Sequence, residues 1–122
     1  MSDLKWHARL ALAILKIAEG ERLKNTYVAS YIALRSFEEI IDAYSAEEGL
    51  HFHDKFSATA WKDRIEWMLI NRKDLLYDWK LLVELYSSIS VGGQHTSNEC
   101  SLAQLITIVR HHLKILIDDY DC

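Results

Sequence analysis

Arg72 is the residue of this sequence whose position most requires a chemical explanation. It lies in WMLINRKDLLYDW (residues 67–79), where apolar side chains otherwise recur with the spacing of one helical face. A buried guanidinium on such a face needs a partner, because an unpaired buried charge is costly. The candidate explanations are an active or ligand-binding site, a helix junction, no special role, or a salt bridge to Glu38, Glu39 or Asp74. The salt bridge and the junction are favoured.

Lys73 and Tyr77 extend the polar group around Arg72 and are ligand-binding candidates with it. On a continuous α-helix Arg72 and Tyr77 would point roughly 140° apart, so they share a site only if the helix breaks between them. Asn71 tolerates unusual backbone angles, and Asp74 is able to cap a following helix. We therefore predict a break or kink at about Asn71–Asp74, with Arg72 at the mouth of a cleft.

A second polar cluster, in AEEGLHFHD, carries side chains of the types that bind metals. Its members are Glu47, Glu48, His51, His53 and Asp54. A ferritin-like carboxylate site requires Glu-x-x-His on two separate helices, whereas here the pattern occurs once and crosses a glycine. A solvated polar loop is the favoured interpretation, so no metal and no other cofactor is expected. His53 and Asp54 stay weaker candidates for ligand contact.

The segment RHHLK (residues 110–114) forms a local basic cluster near the C-terminus. Arg110 and His111 are weaker candidates here for contact with a phosphate group. His111 and His112 are adjacent, so on a helix they point about 100° apart and do not readily chelate one ion. The formal net charge of −4 gives the whole molecule no long-range attraction to nucleic acid.

The elements that must position these residues are helical. Apolar residues recur with a period of about 3.6 almost throughout, and the chain has no proline and only four glycines. Ser57 is the predicted cap of the third segment, which is either one helix of over 30 residues or two shorter ones, and Gly92 and Gly93 end it. The other predicted helices run from Asp3 to about Leu23, from Tyr27 to about Glu48 after the caps Asn25 and Thr26, and from the capping box Thr96–Glu99 onward.

Short loops between long helices favour antiparallel neighbours. The sequence therefore predicts an all-α, antiparallel, up-down bundle of four to five helices, with residues 1–122 forming a single domain. Half the residues are hydrophobic and about a quarter are charged, as is typical of a soluble globular protein. No apolar run approaches the roughly 20 residues of a membrane span, so no membrane partner is expected. The two cysteines fit a reduced compartment, and the expected location is the cytoplasm.

The four tryptophans exceed what a small domain usually contains. Exposed aromatic side chains are enriched in the cores of protein interfaces, so a homodimer is the functional interpretation. A wide buried face would explain the same residues without a partner. We predict the homodimer from the tryptophans Trp6, Trp61, Trp67 and Trp79.

The segment EGERLKNTYVASYIALRSFEEIIDAYSAEEGLHFHD resembles the HEPN domains of bacteria and archaea. The shared pattern is a first helix ending in a polar turn, an aromatic and small residues along the second helix, and a glycine before a His-Asp pair. Its members here are Tyr27, Ala29, Ala33, Gly49, His53 and Asp54. The resemblance implies a small helical bundle, often paired with a minimal nucleotidyltransferase.

Active HEPN members carry an arginine followed four to six residues later by a histidine, and this pair serves metal-independent RNA cleavage across a dimer interface. Here Arg72 is followed by Lys73, where an asparagine is common, and at the histidine position by Tyr77. Tyrosine has an ordinary pKa near 10, so it is a poor general base at pH 7. The resemblance thus implies a non-catalytic module that binds a partner protein, such as a nucleotidyltransferase, or a nucleotide. A HEPN-type RNase acting on RNA and an orphan structural or assembly bundle are the alternatives.

Overall fold

The computed structural model describes residues 3–50, 58–89 and 95–120, and these ranges consist of helices and short turns without a strand. This confirms the predicted all-α bundle and gives it five helices. They are α1 (Asp3–Glu21), α2 (Thr26–Ala46), α3 (Ala58–Asn71), α4 (Lys73–Ser88) and α5 (His95–Tyr120).

The ends of the first two helices lie close to where the cap residues predict them. The Asn25 side chain accepts a hydrogen bond from the Val28 N–H at 3.0 Å and so caps α2. After α2, Gly49 adopts a φ of 79°, a left-handed conformation that glycine reaches without steric cost. Both α1 and α2 end two residues before the predicted Leu23 and Glu48, a difference within the usual uncertainty of helix ends.

Helices α1 and α2 pack closely because small residues meet between them. The Ser36 hydroxyl of α2 donates to the backbone oxygen of Ala11 of α1 at 2.7 Å, which requires the α1 backbone to lie very near α2. Their packed faces carry the fully or almost fully buried alanines Ala8, Ala11, Ala18, Ala29 and Ala33.

Helix α5 packs against α1, α2 and α4 and supplies much of the core. One face of the helix is buried along its length, at Leu102, Leu105, Val109, His112 and Leu116. The helix begins at His95, one residue before the predicted N-cap Thr96. The Glu99 carboxylate, expected in a capping box, accepts a hydrogen bond from Arg22 at 2.5 Å and so ties α5 to the end of α1.

Among the described residues, one helix is long and apolar enough, judged by length and composition alone, to cross a membrane. It is the segment Ser97–Asp119 of α5, whereas no apolar run of about that length was expected from the sequence. A core helix of a soluble protein passes the same test, and α5 buries its apolar stripe in the bundle. The absence of a membrane partner stays a prediction.

We expect Ala33→Leu to destabilise the protein by about 1–3 kcal/mol, because the larger side chain would push the closely packed α1 and α2 apart. Ala13→Leu is the matched control, since Ala13 lies on the exposed side of α1. Denaturant unfolding followed by circular dichroism measures both. Equal stability of the two variants would show that the contact between α1 and α2 tolerates larger residues.

Candidate functional site

The chain bends sharply at Arg72. Helix α3 ends at Asn71 and α4 begins at Lys73, and Arg72 between them has φ −144° and ψ 72°. The rings of Trp61 and Trp79 stack with centroids 4.4 Å apart, whereas on a straight helix these residues would be separated by about 27 Å. The predicted break is confirmed. We call this junction, residues 70–77, the elbow.

Arg72 is held by two neighbours at the elbow. Its Nε and Nη2 donate to the two carboxylate oxygens of Asp74 at 3.0 and 2.9 Å, and its guanidinium carbon lies 4.1 Å from the centroid of the Tyr44 ring. The hydrogen bond to Asp74 raises the pKa of Arg72 and lowers the pKa of Asp74. Arg72 therefore both marks a helix junction and forms a salt bridge, as the two favoured explanations expected.

Arg72 lines an open pocket of about 300 Å³. Within it, the Trp67 indole N–H donates to the Glu48 carboxylate at 2.9 Å, so this tryptophan is buried and bonded. The Arg72 guanidinium is already bonded to the Asp74 carboxylate, and Glu47 and Glu48 add negative charge. The pocket is therefore unfavourable for a phosphate group. Its lining residues are Tyr44, Glu47, Glu48, Trp67, Asn71 and Arg72.

Lys73 and Tyr77 lie on the solvent side of the elbow. Tyr77 is 73% exposed and does not line the Arg72 pocket, because the buried face of α4 begins with Leu75 and Leu76. The expectation that the break would turn Arg72 and Tyr77 towards one face is therefore wrong for this pocket. Lys73 is exposed as well.

Arg110 and His111, two of the weaker candidates, are not brought together with Arg72. Arg110 is exposed on α5 and donates to Glu19 of α1 at 2.6 Å, and His111 is exposed beside it. His112, by contrast, is buried and bonded to Asp78 at 2.5 Å. His53 and Asp54 lie outside the described residues.

A buried ionic network between α1, α2 and α3 went unrecognised in the sequence. His7, Glu39, Asp42 and Arg64 are each at most 4% exposed. Arg64 donates through Nε and Nη2 to the two oxygens of Asp42 at 3.0 and 3.1 Å. Glu39 contacts His7 at 2.5 Å and accepts from Arg35 at 2.7 Å. The sequence feature that could have indicated this network is the pair Glu39 and Asp42, two carboxylates that flank Ile40 and Ile41 in α2.

The carboxylates of this network differ in pKa. Burial acts to raise the pKa of Glu39, but the hydrogen bonds from His7 and Arg35 outweigh burial and keep it below the ordinary value. Glu38, at the edge, has a raised pKa, chiefly because of burial. The ionised form of Glu39 is therefore favoured in the folded protein, where Arg35 supplies a bonded positive charge.

The same network contains three groups with metal-binding atoms. Donor atoms of His7, Glu39 and Asp42 lie within 4.8 Å of one another. However, both oxygens of Asp42 accept from Arg64, so a guanidinium already supplies the positive charge that a cation would bring. This donor set fits an ion-pair network better than a metal site, and the absence of a bound metal stays a prediction.

The inner side of the bend forms an open groove of about 280 Å³ against α2, which we call the aromatic groove. Trp79 stacks on Trp61 and lies parallel to Phe37 at 6.2 Å, so both tryptophans are fixed in place. Tyr31 is 59% exposed. An apolar concave surface with a few polar groups is a typical binding site. The groove is lined by Tyr31, Leu34, Arg35, Glu38, Trp61, Trp79 and Tyr86.

The four tryptophans thus divide between the two explanations that the sequence left open. Trp67 is buried, Trp61 and Trp79 build the bend, and Trp6 is 49% exposed. Most of the indole surface therefore serves internal packing. The aromatic side chain left for a partner at the groove is Tyr31.

Comparison of the chain with protein-family models, with curated proteins and with solved structures gave no match. The function must therefore be inferred from the side chains described above, and the resemblance to HEPN domains rests on the sequence pattern.

We expect Arg64→Leu to destabilise the fold by about 3–5 kcal/mol, because it leaves Asp42 buried without its bidentate partner. Arg110→Leu is the matched control, since it breaks an exposed ion pair with Glu19 that contributes at most about 1 kcal/mol. Chemical denaturation at neutral pH measures both. A loss for Arg64→Leu no larger than for Arg110→Leu would contradict the structural role of the network.

Proposed function

We propose that this chain is a non-catalytic, HEPN-like binding module that forms a homodimer and docks a partner protein. The observation that carries the proposal is the aromatic groove with Tyr31 exposed on its wall. A large ring exposed beside an apolar groove is the kind of anchor that protein interfaces use. The cytoplasm remains the proposed location.

The first partner we propose is a second copy of the chain. The groove wall on α2 carries Tyr31, Arg35 and Glu38, with about one helical turn between successive members. In a two-fold interface the same patch faces itself, so the Arg35 side of one copy would meet the Glu38 side of the other. The patch therefore carries groups of opposite charge that would face each other across the two-fold axis, with Arg35 also bonded to Glu39 within its own chain.

A protein is a better ligand than a nucleotide or RNA for the surfaces on this side of the bundle. The arginines that line the two cavities are already bonded to carboxylates, Arg35 to Glu39 and Arg72 to Asp74. A phosphate group would have to displace one of these carboxylates.

The second partner would bind at the elbow. Ile70 is 78% exposed there and Tyr77 73%, and Lys73 lies between them in sequence. Apolar and aromatic side chains with a nearby cation suit a protein surface. The resemblance to HEPN domains suggests a nucleotidyltransferase as that protein. If the elbow binds nothing, the orphan assembly bundle is the better description of the dimer.

We expect the protein to sediment as a dimer, at twice the 14.2 kDa chain mass, and Tyr31→Asp to convert it to a monomer. The reason is that a carboxylate at the centre of an apolar interface would be desolvated without a partner. Sedimentation velocity at micromolar concentration measures both proteins.

Tyr77→Asp is the control for that experiment, because it makes the same change at an exposed tyrosine outside the groove. This variant should remain a dimer. A monomeric wild type would refute the dimer, and dissociation by Tyr77→Asp alone would move the interface from the groove to the elbow.

We expect no cleavage of a single-stranded RNA incubated with the protein in the presence of a chelator. Arg72 is bonded to Asp74, carboxylates of Glu47 and Glu48 make its pocket unfavourable for a phosphate group, and the exposed Tyr77 does not line that pocket. Gel electrophoresis of end-labelled RNA measures the reaction. Cleavage by the wild type that is abolished by Tyr77→Phe would establish the RNase alternative.

A further inference from the structure

A groove of about 360 Å³ runs between α1 and α5, on a part of the surface that shares no lining residue with the aromatic groove or the Arg72 pocket. Four aliphatic side chains line it. Leu15 and Leu113 are buried, and Leu12 and Ile117 are partly buried. This α1–α5 groove is thus an apolar trough of a size usual for small-molecule sites.

The charged side chains of the α1–α5 groove are unevenly paired. At one end Arg110 donates to Glu19 at 2.6 Å, and this pair joins the two walls. Lys16 on α1 and Lys114 on α5 are exposed on opposite walls, and neither forms an ion pair within the described part of the chain. Asp118 is the remaining charged group. Two lysines against one aspartate leave the groove with one positive charge to be matched.

We propose that the α1–α5 groove binds a fatty acid, with its carboxylate between Lys16 and Lys114 and its acyl chain along the aliphatic side chains of the groove. A single carboxylate matches the excess charge, and an alkyl chain matches the aliphatic lining. The lining residues of α5 from Arg110 to Asp118 span about 12 Å, and Lys114 lies halfway along them, so about one helical turn of the trough lies on each side of the carboxylate.

Other ligands fit the α1–α5 groove less well. None of its lining residues is aromatic, so a nucleobase has no ring to stack on. Its arginine, the residue suited to bidentate phosphate binding, is bonded to Glu19. A fatty acid requires neither an aromatic ring nor an unpaired arginine.

The test is calorimetric titration of the purified wild-type protein with decanoate below its micellar concentration. We expect saturable binding of one decanoate per chain, and at least tenfold weaker binding of decanol and of decylamine, which share the chain but lack the carboxylate. No saturable binding, or equal binding of decylamine, would overturn the proposal.

The charge reversal Lys114→Glu should weaken decanoate binding at least tenfold and leave decanol binding unchanged. Lys80→Glu is the matched control, since Lys80 is an exposed lysine of α4 that does not line the groove. Equal effects of the two variants would show that only overall charge matters and would refute the site. A change in sedimenting mass with Lys114→Glu, but not with Lys80→Glu, would identify the groove as a protein interface and also refute it.

Discussion

The buried ion pair between Arg64 and Asp42 is the interaction on which the arrangement of α3 depends. Two hydrogen bonds join the guanidinium to the carboxylate, and both side chains are almost completely buried. Such a pair adds little net stability compared with a well-packed apolar pair, but leaving either member alone is costly. It therefore favours the one position of α3 against α2 in which Arg64 reaches Asp42.

The fixed position of α3 explains the order of the ring contacts that follow. The Arg64 guanidinium lies 4.8 Å from the Trp61 ring centroid, Trp61 stacks on Trp79, and Trp79 lies parallel to Phe37. Phe37 in turn meets the edge of His112, which bonds to Asp78. A continuous chain of contacts therefore links the ionic network to the core of α5. Trp61 and Trp79 belong to this series of contacts and also line the aromatic groove. The shape of the groove is therefore determined by packing inside the bundle.

The helical fold was predictable because hydrophobic periodicity and helix caps depend on residues that are close in sequence. The buried face of α5, the cap at Asn25 and the left-handed glycine at Gly49 each follow from a few neighbouring residues. The break at Arg72 was also predictable, because a charge interrupting an apolar stripe conflicts with a straight helix. Contacts between distant segments were not, and Arg64 bonds a residue 22 positions away. Nothing near Arg64 in the sequence indicates which carboxylate it meets, or that His7 joins the same network.

The geometry of Arg72 gives this arginine a structural role at the bend between α3 and α4. A helix that bends within one residue leaves a backbone position outside both helices, and the side chain there must be satisfied locally. Arg72 satisfies this requirement through Asp74, two residues on, and through the face of Tyr44 on α2. Its backbone also continues the helical hydrogen bonding, since its N–H bonds to Met68 and its carbonyl accepts from Leu76. With both side chain and backbone engaged in the bend, Arg72 stabilises the elbow, on whose surface Tyr77 is exposed.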